Sequence, residues 1–250
     1  MKIRVNDAKL WKNLMAAVST LVDEATFKVD KNGIRLRAMD PSHVAMVDFE
    51  MPGNTFQEYI CDQPIDVCIN MSEMLKLLKS IGSEETLEIS TDNEGRQLEL
   101  VLRGVYVRKF VMPTLEIAEE EAPTPKIDFN TIVKMTSNSL KQTMDDALAV
   151  SDNVRLEATP EKLVFKAIGD LGSATVEFSK DSEAVLSLEV REDSKATFSL
   201  NYLSEIVKAG AATSDVVDIE FSTNMPVRLN FGLPEERRLA YYLAPRIESD

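Results

Sequence analysis

Four segments of the chain repeat apolar residues at the 3.6-residue spacing of an amphipathic helix. Each segment combines one apolar stripe with one polar face, which is typical of a helix that packs on a larger core. Asp7 and Ser137 precede the first and third segments and are predicted to be helix N-caps. The apolar stripes are Leu10, Leu14, Val18, Leu21 and Val22; Met74, Leu77 and Leu78; Leu140, Met144, Ala147 and Leu148; and Leu203, Ile206 and Val207.

Shorter runs between these segments alternate apolar and polar residues. Leu98–Leu102, Thr175–Phe178 and Leu186–Val190 are examples. A period of two predicts strands with one buried face, and runs of this kind outnumber the helical segments. The chain is therefore predicted to be an α+β protein with antiparallel sheets.

The two halves of the chain resemble each other when the sequence is shifted by about 129 positions. Ile34–Met39 has a counterpart in Leu163–Ile168, and the helical pattern of Ser72–Ser80 recurs in Asn201–Ala209. A repeat of strands and helices in the same order predicts two pseudo-symmetric domains, each with two helices packed on antiparallel sheets.

A segment rich in proline and acidic residues separates the two halves. Residues 113–128 contain three prolines and no glycine, which is typical of an extended and fairly stiff connection. We therefore expect an N-terminal domain at 1–112, a connecting loop at 113–128 and a C-terminal domain at 129–250.

The composition excludes several classes of protein. The 250 residues are 44% hydrophobic and 28% charged, which is a globular composition, and no apolar run is long enough to cross a membrane. The chain begins without a signal-peptide pattern, which predicts an intracellular protein, in the cytoplasm and nucleoid of an archaeon or the nucleus of a eukaryote. Cys61 and Cys68 could form a disulfide, but lone thiols in such a chain are more often unpaired, and with His43 as the only histidine no metal site is expected.

The polar faces of the predicted helices carry lysine although the chain has a formal net charge of −14. Such lysines are commonly just solvated, but four helices with this feature favour a locally basic surface. Lysine is a flexible point charge that follows a phosphate backbone without reading bases, so this surface could bind DNA without sequence preference. The candidate residues are Lys9, Lys12, Lys76, Lys79, Lys141 and Lys208.

Two segments resemble a known family. Leu36–Val47, with its Met-Asp-Pro-Ser-His-Val core, and Leu239–Glu248, with its Tyr-Tyr-Leu-Ala-Pro-Arg core, are similar to the proliferating cell nuclear antigen family of DNA sliding clamps, in its archaeal form. The resemblance implies the clamp fold and a ring of three subunits and six domains around duplex DNA. It also implies a non-enzymatic function, namely holding replication and repair enzymes on DNA and making polymerase processive, without any cofactor.

The resemblance further implies a pocket for partner proteins. DNA polymerase, the clamp loader, flap endonuclease and DNA ligase are expected to insert a short peptide with a glutamine, an aliphatic residue and two aromatic residues. The loop around 117–122 is expected to support this peptide. The implied pocket residues are Met39, Ser42, His43, Val44, Ile117, Pro226, Tyr242, Ala244, Pro245, Arg246 and Ile247.

For the DNA face, the family's basic positions correspond to Lys12, Lys76, Lys79 and Lys208. The third helix departs from the eukaryotic pattern because it has Gln142, Asp145 and Ala149 at basic positions, and Lys141 is a possible substitute there.

Subunit contacts are expected between a strand at 107–112 and a strand at 173–180 of the neighbour. Arg108 and Lys109 are hypothesised to pair with Asp145 and Asp146 of that neighbour. The other expected contact residues are Phe110, Thr175 and Glu177.

Two alternatives remain at this point. The chain could be one subunit of a hetero-oligomeric or checkpoint-type clamp. Its Tyr-Tyr-Leu-Ala-Pro tail, which is the usual one of the family, and its lack of insertions disfavour the checkpoint form. It could also be a hydrolase or nucleotide-binding enzyme, but no phosphate-binding loop and no nucleophile-elbow motif support this. The acidic run at 119–121 could hold a metal, yet such runs are usually solvated.

Overall fold

The computed structural model describes residues 1–82, 84–92, 94–117, 122–123, 125–170 and 172–247. It divides into two compact units. The acidic run at 119–121 and residues 248–250 lie outside the described residues. Unit 1 consists of Met1–Pro41, Val47–Pro123 and Leu233–Arg238, and unit 2 of Ser42–Met46, Thr124–Gly232 and Leu239–Asp250.

The described residues of unit 1 form two helices and two sets of paired strands. The strand orders are β5-β1-β7-β8-β9 in one sheet and β4-β3-β2-β6 in the other. Its elements are β1 (Lys2–Val5), α1 (Ala8–Val18), β2 (Glu24–Asp30), β3 (Gly33–Met39), β4 (Ala45–Pro52), a 3₁₀ turn (Gly53–Thr55), β5 (Glu58–Ile60), β6 (Ile65–Asn70), α2 (Met71–Leu77), β7 (Thr86–Thr91), β8 (Gln97–Arg103) and β9 (Val107–Pro113).

Unit 2 repeats this plan. Its strand orders are β14-β10-β16-β17-β18 and β13-β12-β11-β15. The elements are β10 (Thr131–Thr136), α3 (Ser137–Leu148), β11 (Asn153–Thr159), β12 (Lys162–Gly169), β13 (Gly172–Ser179), β14 (Val185–Val190), β15 (Ser194–Ser199), α4 (Leu200–Ala211), β16 (Val216–Phe221), β17 (Val227–Gly232) and β18 (Arg238–Leu243).

The two units match element by element. α1 starts at Ala8 and α3 at Ser137, and 137 − 8 gives 129. The same difference separates the first residues of β1 and β10, of β2 and β11, of β6 and β15, and of α2 and α4. For β9 and β18 it is 238 − 107, or 131. The predicted α+β class, the repeat and the two helices in each unit are thus confirmed.

Helix α1 forms where an apolar stripe directly follows a capping residue. The N–H of Leu10 donates to Asp7 Oδ1 at 2.8 Å, so Asp7 caps α1 as predicted. α1 ends at Val18, and the apolar residues Leu21 and Val22 are buried in the turn that follows it. The predicted stripe therefore outlasts the helix because the core continues beyond its end.

The prediction of Ser137 as an N-cap is wrong. Thr136 has the extended backbone of the N-cap position, and Ser137 is the first helical residue of α3. Ser137 is buried and its N–H donates to the carbonyl of Asp215 at 2.8 Å, so tertiary contacts fix its place. The hydroxyl of Thr136 donates to Ser139 Oγ instead of accepting a helix N–H.

Each helix buries most of its apolar stripe, but Leu148, predicted as part of the α3 stripe, is 38% exposed at the end of that helix. α1 and α2 lie side by side in unit 1, and α3 and α4 do so in unit 2, where both also pack on β11. Gly210 of α4 approaches Phe231 of β17 so closely that a Cβ there would collide with the ring. The cores of both units are apolar, and both cysteines are free thiols, Cys68 buried and Cys61 half-buried.

No helix in the described part of the chain is long and apolar enough to cross a membrane.

Candidate functional site

The outer face of the α1–α2 pair is basic. α1 has Lys9 and Lys12 and no acidic residue. Lys12 Nζ donates to the carbonyl of Lys79 at 3.0 Å, which ties α1 to the turn after α2. Lys76 is exposed and pairs with Glu73 at 2.7 Å, and the exposed side chain of Lys79 follows the helix. Lys9, Lys12 and Lys76 therefore lie on this helical pair and Lys79 lies in the turn after it. That these lysines face DNA stays a prediction.

The α3–α4 pair is not basic. In α3, Lys141 lies 4.0 Å from Asp145, and Gln142 donates to Asp146 at 3.1 Å. Lys208 is exposed in the last turn of α4, where a cation interacts favourably with the helix dipole. The two units differ in charge on the helix faces although they share a fold.

A second candidate site forms along the outer edge of β15. The N–H of Asn224 donates to the carbonyl of Lys195 at 3.0 Å, and the N–H of Arg246 donates to the carbonyl of Thr197 at 2.7 Å. Residues two apart on a strand are separated by about 7 Å. The loop before β17 and the segment after β18 are therefore held next to each other.

The start of β4 joins this site. The N–H of Ala244 donates to the carbonyl of Val44 at 2.8 Å, so the stretch 42–44 lies beside the segment after β18. We call the surface formed by 42–44, 225–226, Tyr242 and 244–247 the tail surface. It exposes large apolar side chains, of which Ile247 is 85% exposed, while Tyr242 is only 8% exposed. Clustered exposed apolar groups are typical of a binding surface.

Two residues of this region have left-handed backbones. His43 has a φ of 56° and Asn224 a φ of 54°. Side chains with a Cβ adopt this region at a cost, and such positions concentrate at binding sites. His43 lies within the tail surface and Asn224 directly precedes its residues 225–226, so the backbone fixes the geometry of both loops before any partner arrives.

The structure brings most predicted pocket residues together in unit 2. Ser42, His43, Val44, Pro226, Tyr242, Ala244, Pro245, Arg246 and Ile247 all belong to it. Met39 and Ile117 belong to unit 1, where Met39 is half-buried and Ile117 is exposed. That any of these eleven residues forms a pocket for partner proteins stays a prediction.

The connecting loop is anchored at both described ends. In unit 1, the N–H of Leu115 donates to the carbonyl of Cys68 at 2.8 Å, and Arg37 donates to the carbonyl of Ala122 at 3.3 Å. In unit 2, Phe129 is buried against the guanidinium of Arg228 at 5.4 Å. Residues 118–121 of the expected peptide-supporting loop lie outside the described residues.

Sequence reasoning missed several residues around the tail surface. Met225 is exposed beside Pro226. Arg228 pairs with Glu220, and the two lie opposite each other on β17 and β16. Opposite charges eight residues apart across the turn at 222–226 are the one signal that could have identified this cross-strand pair.

The third candidate site consists of two sheet edges. β9 ends one sheet of unit 1 and β13 ends one sheet of unit 2, so within the described chain each has one side without a partner strand. Val107 and Val111 of β9 are 58% and 52% exposed. A free edge that exposes apolar residues is a template for pairing with another chain.

The charged residues of these edges are engaged within the chain. Arg108 donates to both carboxylate oxygens of Glu85 and to Ser80. The pKa of Glu85 is lowered, first by the N–H of Gly82 and then by Arg108. Lys109 pairs with Glu99 at 2.7 Å, and Glu177 pairs with Lys162 at 2.8 Å. Pairing of Arg108 or Lys109 with a neighbour's Asp145 or Asp146 stays a prediction, as does the contact role of Phe110 and Thr175.

No group of three or more His, Cys, Asp or Glu side chains suited to a metal ion is found among the described residues.

Comparisons with known proteins cover nearly the whole chain. Residues 1–123 match the family model of the proliferating cell nuclear antigen N-terminal domain, and residues 123–246 match that of the C-terminal domain. DNA polymerase sliding clamp 1 of Pyrobaculum aerophilum is 37% identical over 242 residues, 97% of this chain and 96% of that protein. The DNA polymerase sliding clamp of Thermococcus gammatolerans is 33% identical over 247 residues, 99% of this chain and 98% of that protein.

Solved structures agree with the sequence matches. The crystal structure of the proliferating cell nuclear antigen of Thermococcus kodakaraensis matches with a TM-score of 0.93 at 28% identity, over 98% of this chain and 99% of that one. A chain from the PCNA2–PCNA3 complex of Sulfolobus tokodaii matches with a TM-score of 0.91 at 27% identity, over 98% and 99% of the two chains. The resemblance seen in two short segments is thus confirmed along the sequence and in three dimensions, and the chain belongs to the proliferating cell nuclear antigen family of DNA sliding clamps.

Proposed function

We propose that three copies of this chain form a closed ring around duplex DNA and act as a processivity clamp for DNA polymerase. The observation that carries this is the match of both clamp domains, in order, over residues 1–246. The domains are 1–112 and 129–250, joined by the loop 113–128. The protein has no catalytic role and needs no cofactor; it works in the cytoplasm and nucleoid of an archaeal cell.

The two free edges supply the contact between copies. Within unit 2, the N–H of Ala244 donates to the carbonyl of Val44. The repeat relates Ala244 to Pro113 and Val44 to Ser173, so the register carries over although Pro113 has no N–H to form this particular bond. The same antiparallel pairing between copies places Val111 opposite Thr175 and Lys109 opposite Glu177. Opposite charges directly across an antiparallel pair stabilise it, which supports this register.

DNA contact is electrostatic and independent of sequence. Lys9, Lys12, Lys76 and Lys79 form a basic face on one helical pair, and Lys141 and Lys208 add single charges on the other. Lysine contacts to phosphate are weak at physiological salt and carry no base specificity. Weak contacts suit a ring, since the closed topology retains the DNA while low friction allows sliding.

Partner enzymes bind the tail surface. DNA polymerase, the clamp loader, flap endonuclease and DNA ligase present a short peptide with a glutamine, an aliphatic residue and two aromatic residues. Apolar side chains on both the loop before β17 and the segment after β18 suit the hydrophobic part of such a peptide. Met39 and Ile117 are the remaining members of the proposed pocket.

Light scattering of the purified chain across a dilution series tests the ring. Three chains of 27.9 kDa give about 84 kDa. The expected result is a mass of three chains. In a separate assay, the same trimer should hold a polymerase on closed circular DNA and should slide off linear DNA with free ends. A chain that stays a monomer or dimer at high concentration contradicts the homotrimer and indicates a ring built with unlike subunits.

A further inference from the structure

Arg37 belongs to a charged cluster on one face of unit 1. Ile34 and Leu36 are buried in the core, so the alternation along β3 places Arg37 on the opposite face of the sheet. Its side chain is 15% exposed, and its Nη2 lies 3.4 Å from the buried carboxylate of Asp48 on β4. Arg238 also lies 3.4 Å from this carboxylate, so Asp48 is held by two cations.

The same guanidinium holds the connecting loop. Arg37 Nη1 donates to the carbonyl of Ala122 at 3.3 Å, across 85 positions of the sequence. A guanidinium carries five N–H donors in a rigid fork, so one arginine can bind a carboxylate and a carbonyl together. Arg37 therefore links the far end of the loop to a side chain that Asp48 already fixes.

This bond sets the length of loop that lies between two fixed points. A backbone hydrogen bond already fixes the loop at Leu115. With Arg37 in place, the span between the fixed points is 116–121, which is six residues by 121 − 115. Without Arg37, the next bond that the described residues show is that of the Asp128 carbonyl. The span would then be 116–127, which is twelve residues by 127 − 115.

We infer that Arg37 is a positioning residue that holds the connecting loop where it supports the partner peptide. This inference rests on the proposed binding of partner peptides and on the expected role of the loop as their support. The entropic cost of fixing a loop grows with the 3/2 power of its length, so a doubled span costs a factor of about 2.8. A loop that is fixed in advance spares the peptide this cost.

The test variant is Arg37→Met, which removes the donors and keeps the apolar stem. Asp48 retains Arg238 as a partner, so no buried charge is left alone. The matched control is Arg35→Met. Arg35 lies two positions earlier on the same face of β3, and its guanidinium pairs with Asp30 at 3.5 Å. If R37M does not fold, R37K carries the same comparison, because it keeps the charge beside Asp48 without the fork.

Peptide affinity of the full-length protein is measured by fluorescence anisotropy with a labelled synthetic peptide that carries the glutamine, aliphatic and double-aromatic pattern. We expect R37M to bind about threefold more weakly and R35M to bind like the native protein. Thermal unfolding and ring mass are measured in parallel.

Limited trypsin digestion reports on the loop itself. Lys126 is exposed and lies in the longer span, so cleavage after Lys126 should be faster in R37M than in R35M or the native protein. The fragments 1–126 and 127–250 identify this cut by mass spectrometry.

Three results overturn the inference alone: an unchanged affinity in R37M, an equal loss in R35M, or weaker binding without faster cleavage after Lys126. A native protein that forms the ring but does not bind the peptide overturns the proposed partner binding and, with it, the positioning role.

Discussion

Replacing Val111 by proline should open the ring without damaging the subunit. N–H groups of an antiparallel strand point alternately to its two sides. The N–H of Thr114 donates to Arg96, on the β8 side, and that of Leu115 donates to Cys68, on the other side. β9 pairs with β8 in unbroken register, so the N–H of Val111 points away from β8 and is available to a neighbouring chain.

The magnitude follows from counting bonds. Proline removes one N–H···O bond per subunit interface, worth about 1 kcal/mol, and a ring has three interfaces. A decrease of about 3 kcal/mol lowers the trimer association constant roughly 140-fold. The association constant of a trimer has units of inverse concentration squared. The concentration at half-assembly therefore rises by the square root of this 140-fold change, about 12-fold. Proline is tolerated on an edge strand, so unfolding should be unaffected.

Mass photometry across a dilution series measures the half-assembly concentration, and circular dichroism checks the fold. The matched control is Val111→Ala, which shortens the same side chain but keeps the N–H. Equal dissociation of the V111P and V111A variants would refute the pairing of β9 with a neighbour. Loss of the fold in the V111P variant would refute the assigned direction of the N–H.

Three further outcomes are expected. Reversing the charge of Lys76 and Lys79 to Glu should lower clamp loading and polymerase stimulation at unchanged trimer mass. The slope of the logarithm of the DNA-binding constant against the logarithm of the salt concentration should become shallower by about 0.9 for each phosphate that is no longer neutralised. Unchanged stimulation would show that these side chains do not contact DNA. Deleting residues 244–250 should abolish stimulation of polymerase and endonuclease with the ring intact, whereas normal partner binding would rule out the tail surface. Glu235 and Glu236, both at φ 60°, form a turn that suits Asn-Gly, and E235N/E236G should stabilise the protein by about 1 kcal/mol and raise Tm by about 2 to 4 °C in calorimetry; an unchanged Tm would contradict that strain.

The architecture could be predicted because its signals are local and occur twice. Helical periodicity depends on residues three and four apart, and the shift of about 129 positions matches one half of the chain to the other. The errors arose where tertiary contacts decided the outcome. The carbonyl of Asp215 fixes Ser137 inside α3, and core packing continues the apolar stripe through Leu21 and Val22 beyond the end of α1.

The residues of the tail surface could be predicted only from the resemblance to the family. Its geometry depends on bonds from Asn224 and Arg246 to the same edge of β15, and these residues are 22 positions apart, by 246 − 224. No local sequence pattern indicates that two such distant residues bond to the same strand. The left-handed backbones of His43 and Asn224 are likewise consequences of the folded chain.

The unequal charge of the two helical pairs is consistent with a closed ring that retains DNA by encircling it. A protein that held DNA by affinity alone would need basic residues on every surface that meets the duplex, since each phosphate without a cationic partner weakens binding. A closed ring keeps DNA without them. α3 can therefore carry Asp145 and Asp146 beside a single Lys141, while α1 carries two lysines and no acid. In the proposed ring, the acidic residues of α3 are assigned to contacts between subunits, and the proposed DNA contact falls mainly to the basic face of α1 and α2.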